Sequence, residues 1–225
     1  MDWQQILDTV TQLGKGLGTT VAIFCLTLLF SLPLGLLVAK GRMSRNKIIS
    51  GIVRLYISIM RGTPLMLQLF VVYFGPYYIF KIPRRDLGFL GFDYREIAVV
   101  VGFVINYAAY FAEIYRGGIQ SMPRGQYEAA QVLGFTKGQT FFRIILPQVL
   151  KRVLPSITNE VITLVKDTSL AFVIAVTEMF TVAKSLASAQ ASVMPFVVAG
   201  IFYYVMNGVV EIIMDRIEKR FNYYS

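Results

Sequence analysis

The chain has 225 residues, 56% hydrophobic and only 16% charged, whereas a soluble domain carries about a quarter charged residues; a water-facing globule is excluded, and one helical membrane domain is expected. It has no histidine and a single cysteine, Cys25, which excludes His-ligated metal sites, His-based acid–base or triad chemistry and an internal disulfide framework. The net charge of +9 requires no nucleic-acid partner, because its placement along the chain follows membrane topology.

Residues 2–13 place Trp3, Ile6, Leu7, Val10 and Leu13 at helical spacing, predicting a short amphipathic helix on the membrane surface. The predicted domains are this segment (1–16), a transmembrane domain (17–214) and a tail (215–225). The first span is expected over 17–39, between Lys15 and the cluster Lys40, Arg42, Arg45 and Lys47. A second runs from about residue 52, past Arg61-Gly62-Thr63-Pro64, to about residue 78. The stretch 76–96, with Pro76, Pro83, Arg84 and Arg85, reads as a loop. A third span covers roughly 97–115, an interrupted fourth 148–183, and a fifth 193–214. Five crossings put 14 Lys and Arg on the side shared by residues 40–54, 116–152 and the tail, against 6 on the other. The positive-inside rule then predicts an external N-terminus and a cytoplasmic C-terminus.

The one long cytoplasmic connection, 116–152, contains Glu128-Ala129-Ala130, then Gly134, then Ile144-Ile145-Leu146-Pro147. Tyr127 to Leu133 is rich in helix formers, and Gly134 can supply a left-handed stop. This spacing resembles the EAA loop of type I ATP-binding-cassette importer permeases. Three further stretches resemble the polar amino-acid branch of that family: Arg61-Gly62-Thr63-Pro64-Leu65 with Gln68-Leu69-Phe70, the run from Tyr110 to Ile119, and Lys166-Asp167-Thr168-Ser169-Leu170. The resemblance implies an all-α fold of five transmembrane helices with a cytoplasmic coupling helix. It implies that Glu128, Ala129, Ala130 and Gly134 couple the chain to ATPase subunits. The implied partners are a second permease copy (identical or a close paralogue), two cytoplasmic ATPases and an external or periplasmic substrate-binding protein, in a bacterial or archaeal cytoplasmic membrane. No G-x-x-x-x-G-K-[ST] sequence is present, so this chain is expected to hold no cofactor and catalyse nothing, ATP and Mg being bound by the partner ATPase.

Ionisable residues at membrane depth are costly and usually face a cavity or a partner. Ser156, Glu160, Thr163 and Asp167 fall at helical steps and form one polar stripe, expected to line a substrate path between two permease copies. Glu160, outside the family-like motif, is the stronger candidate for contact with a substrate ammonium. Asp167, Thr168 and Ser169 are candidate N-caps of a re-entrant helix whose start would favour a carboxylate. Lys166 could bind that carboxylate, or it could pair with Glu160 or Asp167; both readings stand. Asn106, sharing a face with Tyr110 and Glu113, is either a path residue or an interhelical hydrogen bonder. Glu113 and Arg116 are spaced as an ion pair, with Arg61 holding the second span against it. Rival readings are a permease for another small solute, such as methionine or an opine, an ion-coupled carrier, and an intramembrane enzyme. No inverted repeat and no Ser–Lys or paired-Asp arrangement supports the last two.

Overall fold

The computed structural model describes residues 3–83, 87–88 and 93–221, and all regular structure among them is helical. In chain order these are α1 (Trp3–Arg42), α2 (Lys47–Gly62), α3 (Leu65–Phe80), α4 (Tyr94–Gln120), α5 (Arg124–Val132) and the single turn α6 (Lys137–Gln139). A π-helical segment (Thr140–Ile145), α7 (Leu146–Asp167), a 3-10 segment (Thr168–Ile174), α8 (Met179–Ala189) and α9 (Met194–Arg220) follow. By length and composition α1, α4 and α9 can each cross a membrane, and the two bent pairs bring the number to as many as five.

The structure removes the predicted boundary at residue 16. α1 is one helix of 40 residues, about 60 Å long at 1.5 Å per residue, twice the hydrocarbon thickness. Its buried face is Thr9, Leu13, Gly16, Thr20, Ile23, Thr27, Ser31, Gly35 and Ala39, while Leu29, Phe30, Leu36 and Leu37 point outward. Small and hydroxyl residues let helices approach closely where lipid, equally apolar, provides no force to bury large ones. Leu13, fully buried, packs with Met179, Ala183, Val198 and Ala199. Residues 3–16 therefore belong to the helical bundle.

α4 is the central element. Val99, Phe103, Tyr107 and Phe111 along it are buried among residues of α1, α3, α7 and the 3-10 segment. A Cβ added at Gly35 would lie 2.8 Å from the Cβ of Phe111, so glycine there is what lets α1 reach α4.

Two further expectations are corrected. The loop after the second span begins only after Phe80, with Lys81 in the left-handed conformation as the cap of α3; Arg84 and Arg85 lie outside the described residues. The fourth apolar region is broken as expected, but Asp167, Thr168 and Ser169 do not cap a new helix. The hydroxyls of Thr168 and Ser169 donate back to the Val165 and Lys166 carbonyls, the chain continues as a 3-10 helix to Ile174, and Glu178 caps α8.

Candidate functional site

The second span is sharply broken. α2 and α3 meet at 113°, because Pro64 supplies no N–H and disfavours helix in the residue before it. The carbonyls freed at such a break must be satisfied internally. Gln68 Nε2 lies 3.0 Å from Met60 O, 3.1 Å from Thr63 O and 2.8 Å from Thr63 Oγ1. Asn106 Nδ2 donates to Met60 O at 3.1 Å and to Gln68 Oε1 at 2.9 Å. Asn106 is buried and bonds α4 to the α2–α3 junction.

Arg61, one residue beyond Met60, is directed to the other side of this junction. Its guanidinium lies 5.2 Å from the ring centroid of Tyr110, within cation–π range, and its field reaches both Glu113 and Glu160. Glu113 already has partners. Arg116 donates from Nε to both carboxylate oxygens at 3.1 Å and from Nη2 at 2.6 Å. Arg42 of α1, which sequence reasoning did not connect to this pair, stands at 4.0 Å.

The predicted stripe on α7 is open on this single chain: Ser156 and Thr163 are exposed, Glu160 and Asp167 partly so. Tyr107, missed in the sequence, donates its hydroxyl to Asp167 Oδ2 at 2.8 Å and ties the stripe to α4. Lys166 makes no ion pair among the described residues. It lines a separate cavity of about 300 Å³ with Ser169, Phe180, Phe196 and Tyr203.

Glu178, another ionisable residue of the 148–183 region, has a role that its spacing does not reveal. It is fully buried and accepts the N–H groups of Phe180 and Thr181, both at 2.7 Å, and the Thr181 hydroxyl at 2.9 Å. Tyr203 Oη of α9 approaches at 3.3 Å and Thr20 Oγ1 of α1 at 3.5 Å. One carboxylate thus caps α8 and joins three helices.

α5 ends in a Schellman motif: Phe135 N–H bonds to Ala130 O, Gly134 N–H to Gln131 O, and Gly134 has φ +78°, the left-handed geometry glycine adopts without strain. Glu128 and Ala129 face outward, but Ala130 is 1% exposed and packs inward. The outward apolar surface comes instead from Val132 (88% exposed), Leu133 (74%) and Phe142 (67%). Downstream, Pro147 offers no N–H and its ring would clash with the preceding turn. The wider π-helical turn at Thr140–Ile145 absorbs that misfit before α7 begins.

A family model, "Binding-protein-dependent transport system inner membrane component", matches residues 31–223. The chain is 39% identical over 153 residues to the L-cystine transport system permease protein TcyL of Bacillus subtilis, covering 66% of this chain and 61% of that protein. It is 37% identical over 156 residues to the nopaline transport system permease protein NocM of Agrobacterium fabrum, covering 68% and 64%. It thus spans a little under two-thirds of the length of these relatives. Among solved structures, the crystal structure of an amino acid ABC transporter with histidines is similar at 30% identity and a TM-score of 0.84, over 98% of this chain and 99% of that one. The chain belongs to the family of binding-protein-dependent transport system inner membrane components.

Proposed function

We propose that this chain is the membrane permease subunit of an ATP-driven, binding-protein-dependent importer of polar amino acids. The observation that carries the proposal is the pairing of two surfaces on one helical frame: an open polar stripe on α7, and the outward-facing, Schellman-capped α5. The named relatives transport cystine and nopaline, and the similar crystal structure is of an amino acid transporter; both support an amino-acid cargo.

In this reading two copies face each other across their α7 stripes, in a bacterial or archaeal cytoplasmic membrane, with the N-terminus outside and α5 inside. A loaded binding protein docks outside. ATP and Mg bind in two partner ATPases, whose closure moves α5. Glu128 and Ala129 sit on the surface offered to the ATPase, flanked by Val132 and Leu133, whose apolar side chains suit a groove on the partner. Motion of α5 passes through the π-helical turn to α7. Glu160, Thr163 and Ser156 then alternate between outward and inward access, and the Glu160 carboxylate receives the cargo's ammonium group.

The test is uptake of labelled amino acid into liposomes holding this chain together with a partner ATPase and a binding protein. Val132→Asp with Leu133→Asp is expected to abolish ATP-driven uptake while the chain still inserts. Uptake by this chain alone would instead favour an ion-coupled carrier. Cargo-stimulated ATP hydrolysis surviving in a Glu128→Ala, Gly134→Val double variant would reject α5 as the coupling element.

A further inference from the structure

The proposed permease has an assigned acceptor for a cargo ammonium, Glu160, but a zwitterion also needs its carboxylate received. Lys166 is poorly placed for that. At about 100° per residue it projects well to the side of the stripe, into the cavity bounded by Phe180, Phe196 and Tyr203. The Ser169 hydroxyl beside it is committed to the Lys166 carbonyl at 2.8 Å, and Asp167 passes in helical conformation from α7 into the 3-10 segment, whose Thr168 N–H is bonded to Leu164 O.

Arg61 meets the requirements on independent grounds. The α2–α3 junction, held by Gln68 and Asn106, ends α2 at the depth of the middle of α4. A guanidinium there is costly unless something anionic or aqueous faces it. Arg61 is exposed on this chain and makes no hydrogen bond or ion pair among the described residues; its one close contact is the Tyr110 ring. Of the two carboxylates in reach of its field, Glu113 is held by Arg116, whereas Glu160 has no cation within ion-pair distance among the described residues. Arg61 and Glu160 thus stand as a cation and an anion within each other's electrostatic reach, neither held in an ion pair among the described residues.

Building on the importer reading, we propose that Arg61 is the carboxylate-receiving residue of the amino-acid path. Its planar fork takes the cargo's α-carboxylate in a bidentate pair, Tyr110 holds the guanidinium in register, and Glu160 takes the ammonium. When no cargo is bound, the two opposite charges offset each other's field. The signature around Arg61 then has a division of labour: Thr63, Pro64 and Gln68 build the break, and Arg61 uses it.

Direct binding to the purified permease–ATPase complex, without binding protein, tests this with arginine and its decarboxylated amine, agmatine. The wild type should bind the amino acid about tenfold or more tightly than the amine, the scale of one hydrogen-bonded charge pair. Arg61→Gln should bring that ratio close to one by weakening the amino acid alone. Arg61→Lys should restore part of it, and Glu160→Gln should weaken both ligands and leave the ratio standing. A ratio unchanged in Arg61→Gln, or equal weakening of both ligands, overturns the proposal. So does a wild-type complex with no preference for the amino acid while ATP-driven uptake persists, an outcome that leaves the importer reading intact. Absence of ATP-driven uptake by the wild-type complex counts against the importer reading.

Discussion

Glu178 shows how much one buried carboxylate can organise. It caps the first turn of α8 through two N–H groups and takes hydroxyl contacts from α1 and α9. Met179 N–H in turn donates to Thr20 Oγ1 at 3.1 Å, so α1 and α8 are bonded at the same point. Replacing an N-cap costs about 0.5–2 kcal/mol, and leaving buried donors without an acceptor adds about 1–3 kcal/mol. Glu178→Ala is therefore expected to destabilise the protein by roughly 2–4 kcal/mol, read as a lower thermal-unfolding midpoint in detergent. Glu178→Gln keeps one carbonyl acceptor and should lose about half as much. Equal midpoints for wild type and Glu178→Ala would mean the three helices are held by packing alone.

At the scale of elements, the sequence was informative where composition sets the outcome and silent where a distant residue does. Spans were legible because long apolar runs have no other stable use, and α5 with its Gly134 stop was legible because its cap is local. The α7 stripe could be read from helical spacing alone. The α2–α3 break was harder: Pro64 signals it, but one of the two amides that satisfy Met60 comes from Asn106, 46 residues further along. Capping preference pointed to Asp167, Thr168 and Ser169, all better N-caps by propensity than Glu178, and long-range burial decided otherwise. α1 was misread for a physical reason too. An apolar-face argument assumes water outside, whereas α1 buries threonines and glycines and shows Leu29, Leu36 and Leu37 outward. The correction has a consequence for residues 3–16. A surface helix could be removed at little cost, but a chain starting at residue 17 would uncover Met179 and Ala183 and lose Leu13. Burial of one leucine contributes about 1.5–3 kcal/mol, so the truncated chain should show at least that loss in unfolding midpoint. Unchanged stability would restore the boundary at residue 16.

For the whole molecule, the decisive question is what lies against the α7 stripe. The same exposed surface would have opposite consequences in lipid and in a water-filled cleft between two copies. Against lipid, each ionised side chain near mid-membrane costs roughly 2.5–3.5 kcal/mol or more, and Arg61, Glu160 and Asp167 would together offset much of the stability of a chain this size. α9 provides the contrast, since Ile201, Val205, Val209 and Ile212 make an exposed face with no charge. Thiol chemistry separates the two environments, because the thiolate, which forms in water and is suppressed in hydrocarbon, is the nucleophile that adds to a maleimide. With Cys25, itself exposed, replaced by Ala, Thr163→Cys should react readily with a membrane-impermeant maleimide, and Val205→Cys should stay unreactive. In the assembled complex a short bis-maleimide should join two Thr163→Cys copies, and ATP should change the yield as the cleft opens and closes. If Thr163→Cys were as inert as Val205→Cys, the stripe would face lipid, and neither the amino-acid path nor the role assigned to Arg61 could stand.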